Sequence, residues 1–173
     1  MKIEAGIVDD IAQLEKLYDD VNEYLQHRVN FTGWAKGVYP TKETAEMGII
    51  EKSLFCLRVD SKIVGSIILN NKQENAYDKV TWGLNAVHNQ VIVIHTLVVH
   101  PNFMKQGIAR KLIEFAKEYA IRKSAKTIRL DVAVQNTPAI SLYEKCGYTY
   151  VGTVDLDLGL EQVKWFKLYE LIL

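Results

Sequence analysis

The stretch QVIVIHTLVV, from Gln90 to Val99, constrains the fold more than any other part of this sequence. It is apolar almost throughout and rich in β-branched residues, which is typical of a strand buried on both faces. Such a strand needs neighbouring strands at its edges and helices or loops over its faces. The stretch therefore predicts a sheet with packed helices at the centre of a globular chain.

Apolar periodicity and turn residues predict the elements around this strand. A strand, KIEAGIV, comes first, and Asp9 or Asp10 is expected to cap the helix after it. That helix presents one apolar face, made of Ile11, Leu14, Tyr18, Val21 and Leu25. Thr41 is a plausible cap for a second helix, which extends to about Lys52.

A hairpin follows, with its turn at Asp60-Ser61, and residues 71–89 form a long polar loop before the apolar strand. A helix over 107–123 and a strand, TIRLDVAV, come next. A short helix is then expected, with Thr137 as its cap and Gly147 at its exit. Two strands end the chain, so the predicted order is β-α-α-β-β-β-α-β-α-β-β. We expect a mixed α/β fold (α/β or α+β) in one domain over 1–173.

Composition excludes several classes of protein. Lys plus Arg equals Asp plus Glu, at 21 each. This neutral balance argues against binding nucleic acid through its phosphates. The two cysteines, Cys56 and Cys146, match no metal or redox spacing and are expected to be reduced and buried. The N-terminal MKIEAGIVDD lacks a signal-peptide core and no segment could span a bilayer, so no membrane association and a cytoplasmic location are expected.

The stretch VVHPNFMKQGIARKL, from Val98 to Leu112, places a glycine and several cations at the start of a helix. The first N–H groups of a helix have no partner within the helix, and the helix dipole is positive there. Gly107 lets a ligand approach the backbone closely, while Lys105 and Arg110 add positive charge. This pattern favours a phosphate or diphosphate site, although a simple turn flanked by solvated cations would give the same sequence.

The chain resembles the GCN5-related N-acetyltransferase (GNAT) superfamily over roughly Val91 to Tyr150. Three pieces carry the resemblance in order: HTLVVHP, MKQGIA and NTPAISLYEKCGY. The resemblance implies a central mixed sheet that is splayed at the cofactor site, with helices on both faces. It also implies acetyl-CoA as cosubstrate, with its diphosphate held by the backbone of Lys105, Gln106, Gly107, Ile108, Ala109 and Arg110. In this family's loop a polar residue usually stands where this chain has Met104, which puts one side-chain contact in doubt.

The resemblance also assigns residues around the reacting thioester. The backbone of Leu97, Val98 and Val99 would pair with the pantetheine arm as an added strand does. Asn136 would contact or support the same arm, and its other interpretation is a helix cap or turn residue. Tyr143 would protonate the departing thiolate, and its other interpretation is an aromatic residue on an apolar helix face.

His95 lies two residues before Leu97 and is a candidate general base, because imidazole titrates near neutral pH. A hydrogen-bonded core histidine is the alternative, while His100 is expected to be structural. An acceptor amine would bind near early aromatic residues, for which Trp34 and Tyr39 are the candidates. Packing in a dimer surface or burial under long loops would also explain these two residues, together with Phe31, Tyr77 and Trp82.

These residues predict an N-acetyltransferase that acts by direct attack of a primary amine of a small molecule or peptide on acetyl-CoA, without a metal. Two alternatives stay open: a non-catalytic acyl-CoA sensor, which Met104 would favour, and a phosphate-binding protein unrelated to acyl transfer. Dimers are frequent in the GNAT superfamily, which this chain resembles. A homodimer is therefore a further expectation, to which the C-terminal strand VKWFKLYELIL could contribute.

Overall fold

The computed structural model describes residues 1–159 and 163–173. The helices are α1 (Ile11–Gln26), α2 (Lys42–Ile50), α3 (Ile108–Arg122) and α4 (Thr137–Lys145). The strands are β1 (Lys2–Ala5), β2 (Leu54–Val59), β3 (Lys62–Asn70), β4 (Val91–Val99), β5 (Thr127–Ala133), β6 (Thr149–Asp155) and β7 (Trp165–Ile172). Apart from short 3-10 turns, this is the predicted order of elements, which is confirmed.

The strands form a mixed sheet in the order β1-β2-β3-β4-β5-β7-β6. Strand β4 pairs with β5 in parallel, whereas β1 with β2, β2 with β3, and β7 with both β5 and β6 are antiparallel. The parallel register runs from Val91 to Ile94, although both strands continue beyond it. The predicted mixed α/β fold is confirmed, and β4 is the central strand expected from its composition.

The chain divides into two compact units. The first comprises Met1–Asn30, Trp34–Leu69 and His95–Phe115, and the second comprises Phe31–Gly33, Asn70–Ile94 and Ala116–Leu173. Each unit has a hydrophobic core cluster of its own. The expectation of a single domain stays a prediction.

In the first unit, helices pack on both faces of the strands. The buried side of α1 shares a core cluster with Leu54 and Cys56 of β2. Between them, Phe55 points the other way, because successive strand residues face opposite sides, and its ring lies 5.0 Å from that of Phe115 in α3. The α1 face is as predicted except that Leu17 is buried and Ile11 is only half-buried.

In the second unit, a buried ion pair orders the segment before β4. Arg129 of β5 lies 3.2 Å from Glu170 of β7, measured from Nε to Oε1. The other guanidinium nitrogens donate to the side chain of Gln73, at 2.7 Å, and to the carbonyl of Leu84, at 2.8 Å. Residues 71–89 lie outside the α-helices and strands, as predicted for a loop, and Gln73 and Leu84 attach this segment to the sheet by charged hydrogen bonds.

Two predicted caps need correction. Asp10 stands at the N-cap of α1, but its carboxylate accepts hydrogen bonds from the Ile7 amide and the Arg58 guanidinium and caps nothing in α1. Asn136, and not Thr137, is the N-cap of α4, where its side chain accepts from the N–H of Ala139 at 3.3 Å. A cap is decided by which side chain reaches the free amides, and neighbouring Asn and Thr residues are equally suited by type.

Other local predictions hold. Asp60 and Ser61 both have positive φ, as a two-residue hairpin turn requires, and Gly147 follows α4 with a φ of +90°. Strand β7 has both of its edges occupied, by β5 and β6, so it has no open edge to offer another copy of the chain. The homodimer stays a prediction. Among the described residues, no helix is both long and apolar enough to cross a membrane.

Candidate active site

The second half of β4 contains a backbone distortion at Thr96. This residue has a φ of +45°, which β-branched residues avoid, and such a conformation costs about 1–3 kcal/mol. Burial nevertheless alternates around it: His95, Leu97 and Val99 are half-buried, whereas Thr96, Val98 and His100 are buried. The predicted base, His95, and the predicted pantetheine-binding residues therefore lie on the strand directly beside a strained position.

The loop between β4 and α3 presents backbone donors at its exposed end. The first hydrogen bond of α3 runs from the N–H of Lys111 to the carbonyl of Gly107, at 3.0 Å. The N–H groups of Ile108 and Ala109 thus have no acceptor within the helix. Lys105 and Gly107 both have positive φ, at +61° and +78°, and a Cβ at Gly107 would meet no described atom within 4 Å. Helix-start N–H groups without an acceptor in the helix, next to an exposed glycine, are the donors that a diphosphate site uses.

The side chains of this loop add less positive charge than the sequence predicts. The Arg110 guanidinium lies 2.9 Å from Glu114, one helical turn onward, so part of its charge is offset. Gln106 donates to the carbonyl of Asn102 at 3.0 Å, while Lys105 is exposed. Met104 is 36% exposed at the loop entrance. The backbone and Lys105 are therefore the stronger candidates for holding an anion.

The aromatic segment, which we define as residues 34–40, is a tight turn in the first unit. Tyr39 and Val38 both donate to the carbonyl of Ala35, and the ring centroids of Trp34 and Tyr39 lie 5.8 Å apart, edge to face. The Tyr39 hydroxyl forms a short hydrogen bond with the Thr96 hydroxyl. Trp34 is half-buried and Tyr39 is 38% exposed, so both leave surface that a ligand can touch.

Of the other three aromatic residues, Tyr77 is a core residue, while Phe31 and Trp82 are half-buried. Tyr77 is 1% exposed, and the indole nitrogen of Trp82 donates to its carbonyl at 3.0 Å. Arg129 lies over the Trp82 ring at 4.1 Å from the centroid. Burial explains Tyr77, which is not available to an acceptor, whereas Trp82 packs against the same core cluster and is half-buried.

Tyr143, the predicted acid, lies on the buried side of α4 in the second unit. It is 7% exposed, and its ring packs edge to face against that of Tyr148, 5.7 Å away. Burial raises the pKa of the Tyr143 phenol well above its usual value, and the nearby charge of Asp131 raises it further. The phenol therefore stays protonated at neutral pH, as a proton donor must.

Asp131 is an ionisable residue that the sequence analysis passed over. Its carboxylate accepts a hydrogen bond from the Tyr77 hydroxyl at 2.8 Å. Burial raises its pKa to about 6, the hydrogen bond from Tyr77 opposes this rise, and the charge of Glu74 adds to it. At neutral pH Asp131 is therefore a carboxylate held in the same unit as Tyr143.

Replacing Asp131 by Asn is expected to change how stability depends on pH. The folded carboxyl holds its proton up to about pH 6, whereas the unfolded one loses it near its usual pKa of 3.8. Its contribution to stability is thus complete below pH 3.8 and is lost as pH rises through 6. The unfolding free energy of Asp131→Asn, relative to the wild type, should increase over that range in denaturant titrations. A difference in unfolding free energy that is constant with pH would contradict the raised pKa of Asp131 in the folded protein.

The remaining candidates have structural roles. His100 is buried, its Nδ1 accepts from the N–H of Asn102 at 3.1 Å, and its pKa is lowered by burial and then by Lys62, as suits the structural role expected of it. Cys56 is buried, which raises its thiol pKa to about 12 and leaves little reactive thiolate. Cys146 is half-buried, which corrects the expectation of full burial. Within residues 1–159 and 163–173, no cluster of His, Cys, Asp and Glu suits a metal ion.

Comparison with known proteins gives the family. The model of the acetyltransferase (GNAT) family matches residues 14–148. A streptothricin acetyltransferase of Escherichia coli is 37% identical over 98 residues, which cover 57% of this chain and 47% of that protein. An N-acetyltransferase of Methanocaldococcus jannaschii is 28% identical over 75% of this chain and 57% of its own length. The chain thus spans about half the length of these curated relatives.

Solved structures agree in fold. A GNAT-family acetyltransferase of Streptococcus agalactiae superposes with a TM-score of 0.80 at 18% identity, over 99% of this chain and 95% of that one. A Salmonella typhimurium protein solved with its cofactor acetyl-CoA superposes with a TM-score of 0.71 at 14% identity, over 99% and 92%. The chain belongs to the GNAT family of acetyltransferases, whose acyl donor is acetyl-CoA.

Proposed function

We propose that this protein transfers the acetyl group of acetyl-CoA to a primary amine, by direct attack in a ternary complex. One observation carries the proposal: the N–H groups of Ile108 and Ala109 have no acceptor within α3, and they follow Gly107, which is exposed and leaves open space where a side chain would otherwise stand. Two or more amide donors at a helix start suit a diphosphate, which is the charged part of coenzyme A. The residues present therefore fit the cosubstrate that the family uses.

The chain's own groups would then act as follows. The thioester supplies an activated carbonyl carbon, to which the amine nitrogen bonds as the carbon–sulfur bond breaks. Tyr143 donates its phenolic proton to the departing sulfur, since burial keeps the phenol protonated. His95 takes the proton that the amine releases, directly or through water. The backbone of Leu97, Val98 and Val99 holds the pantetheine arm, and Asn136 supports it from its capping position on α4.

The acceptor is proposed to be an amine on a small molecule or a peptide that contacts Trp34 and Tyr39. Both rings belong to the aromatic segment and keep exposed surface. Streptothricin is a reasonable first acceptor to test, because the E. coli relative that matches over 98 residues is named for acetylating it.

Release of free coenzyme A thiol, measured against a panel of amines, tests this proposal. The panel should contain streptothricin, polyamines, amino acids, aminoglycosides and peptides with free N-termini. We expect saturable, enzyme-dependent release with at least one of them. Tight binding of acetyl-CoA without release on any amine would instead support the sensor, for which Met104 in the loop is the favouring observation.

A further inference from the structure

We infer that Tyr39 is a positioning residue, which holds β4 in its distorted conformation at Thr96 and so orients His95 relative to Leu97. The inference deepens the proposed function and rests on it. From the sequence, Tyr39 is expected only to offer an aromatic surface to the acceptor. The structure adds a second role, since its hydroxyl contacts the strand that carries the candidate base.

Thr96 needs an external partner to keep its conformation. Its φ of +45° is in the left-handed region, where the Cβ of a β-branched residue crowds the backbone. Strand residues elsewhere in β4 show that an extended conformation is the local preference of this apolar, β-branched stretch. The hydrogen bond between the Tyr39 and Thr96 hydroxyls joins residues 57 positions apart, so it is a side-chain contact that reaches Thr96 from a distant part of the chain.

The Tyr39 end of this contact is itself held in place. The buried side chain of Asn22, on α1, donates to the carbonyl of Pro40 at 3.3 Å. Lys36 pairs with Glu23, also on α1, and the Tyr39 ring packs against Trp34. The aromatic segment is thus attached to α1 on both sides of its turn. A hydroxyl carried by so constrained a segment can impose a conformation on the strand that it contacts.

The conformation of Thr96 matters because of its neighbours. A change in φ at this residue rotates the preceding peptide group and swings His95 relative to Leu97. His95 would remove the proton from the amine, and the backbone from Leu97 onward would hold the thioester arm. Loss of the Tyr39 contact should therefore slow the chemical step and leave coenzyme binding at the loop unchanged. An acceptor bound against the exposed Tyr39 ring would therefore also contact the residue that holds Thr96.

The test is a double-mutant cycle of Tyr39→Phe and Thr96→Val, which remove either hydroxyl and keep the size of each side chain. We expect each single variant to lower kcat about tenfold, and the double variant to be no slower than either single one. The dissociation constant of acetyl-CoA should change by less than the loss in kcat, since the diphosphate loop lies outside the contact. The acidic limb of the pH profile of kcat/KM should shift in both single variants, because the surroundings of His95 change. Thr96→Ser keeps the hydroxyl, so this variant should retain most of the wild-type rate.

Multiplicative effects of the two substitutions, or an unchanged kcat in Tyr39→Phe, would overturn the inference. An inactive wild type would instead refute the proposed function. The positioning role would then be tested by crystal structures of the wild type and Tyr39→Phe, which need no activity. We expect Thr96 to keep a positive φ in the wild type and to become extended in the variant. A positive φ in both would refute the positioning role whatever the activity.

Discussion

Tyr143→Phe is expected to lower kcat by about 100- to 1,000-fold, because the phenolic proton is no longer available to the departing thiolate. The ring is retained, so its edge-to-face packing against Tyr148 should persist and the fold should be unchanged. Steady-state release of the coenzyme A thiol gives kcat, and calorimetry gives the dissociation constant of acetyl-CoA. We expect that constant to be unaltered.

Tyr148→Phe is the matched control. Its ring is the other half of the edge-to-face pair with Tyr143, and its buried hydroxyl has no hydrogen-bond partner within the described residues. Removing an unpartnered buried hydroxyl should leave turnover near the wild-type value and should not lower stability. Equal losses in the two variants would mean that a general disturbance of this region, and not proton donation by Tyr143, limits the rate.

Gly107→Ala is expected to weaken acetyl-CoA binding by about 10- to 100-fold, the cost of losing one charge-assisted hydrogen bond. The new methyl group would occupy the open space beside Gly107 that a bound diphosphate would use, and the φ of +78° is unfavourable for alanine. The dissociation constant measured by calorimetry, without acceptor, isolates this effect from catalysis.

Gly37→Ala separates backbone strain from cofactor contact. Gly37 has a similar φ of +72° and equally open surroundings, but it lies in the aromatic segment. Both variants should lose about 1–2 kcal/mol of unfolding free energy, since the left-handed conformation costs that much for a residue with a Cβ. Only Gly107→Ala should weaken acetyl-CoA binding. Equal affinities in the two variants would remove Gly107 from the cofactor site.

Much of the fold could be predicted because its signals are local. The apolar run at β4 indicated a buried strand, and Gly147 indicated the end of α4, since each depends on a few neighbouring residues. The α4 cap was wrong because Asn136 and Thr137 are adjacent and chemically similar. Which of them reaches the free amide depends on the backbone path, and the sequence does not contain that path directly.

The site shows the same division. The glycine at the start of α3 was visible from sequence, because a helix start follows local rules. The positive φ of Thr96 was not, since nothing in an apolar β-branched stretch marks one residue for a left-handed conformation. Its contact with Tyr39 joins residues 57 positions apart, and a periodic pattern in the sequence cannot predict a contact between such distant residues. Asp131 did leave a signal, as a lone carboxylate in the otherwise apolar end of β5, and its raised pKa follows from that placement.

Amide NMR of isotope-labelled protein titrated with coenzyme A is the direct test of the proposed diphosphate site. We expect the resonances of Gly107, Ile108 and Ala109 to shift and to saturate together with binding. Pantetheine, which lacks the diphosphate, should leave these three resonances in place. Saturable binding of coenzyme A with no change at Gly107, Ile108 and Ala109 would contradict the account, because the diphosphate would then be held elsewhere.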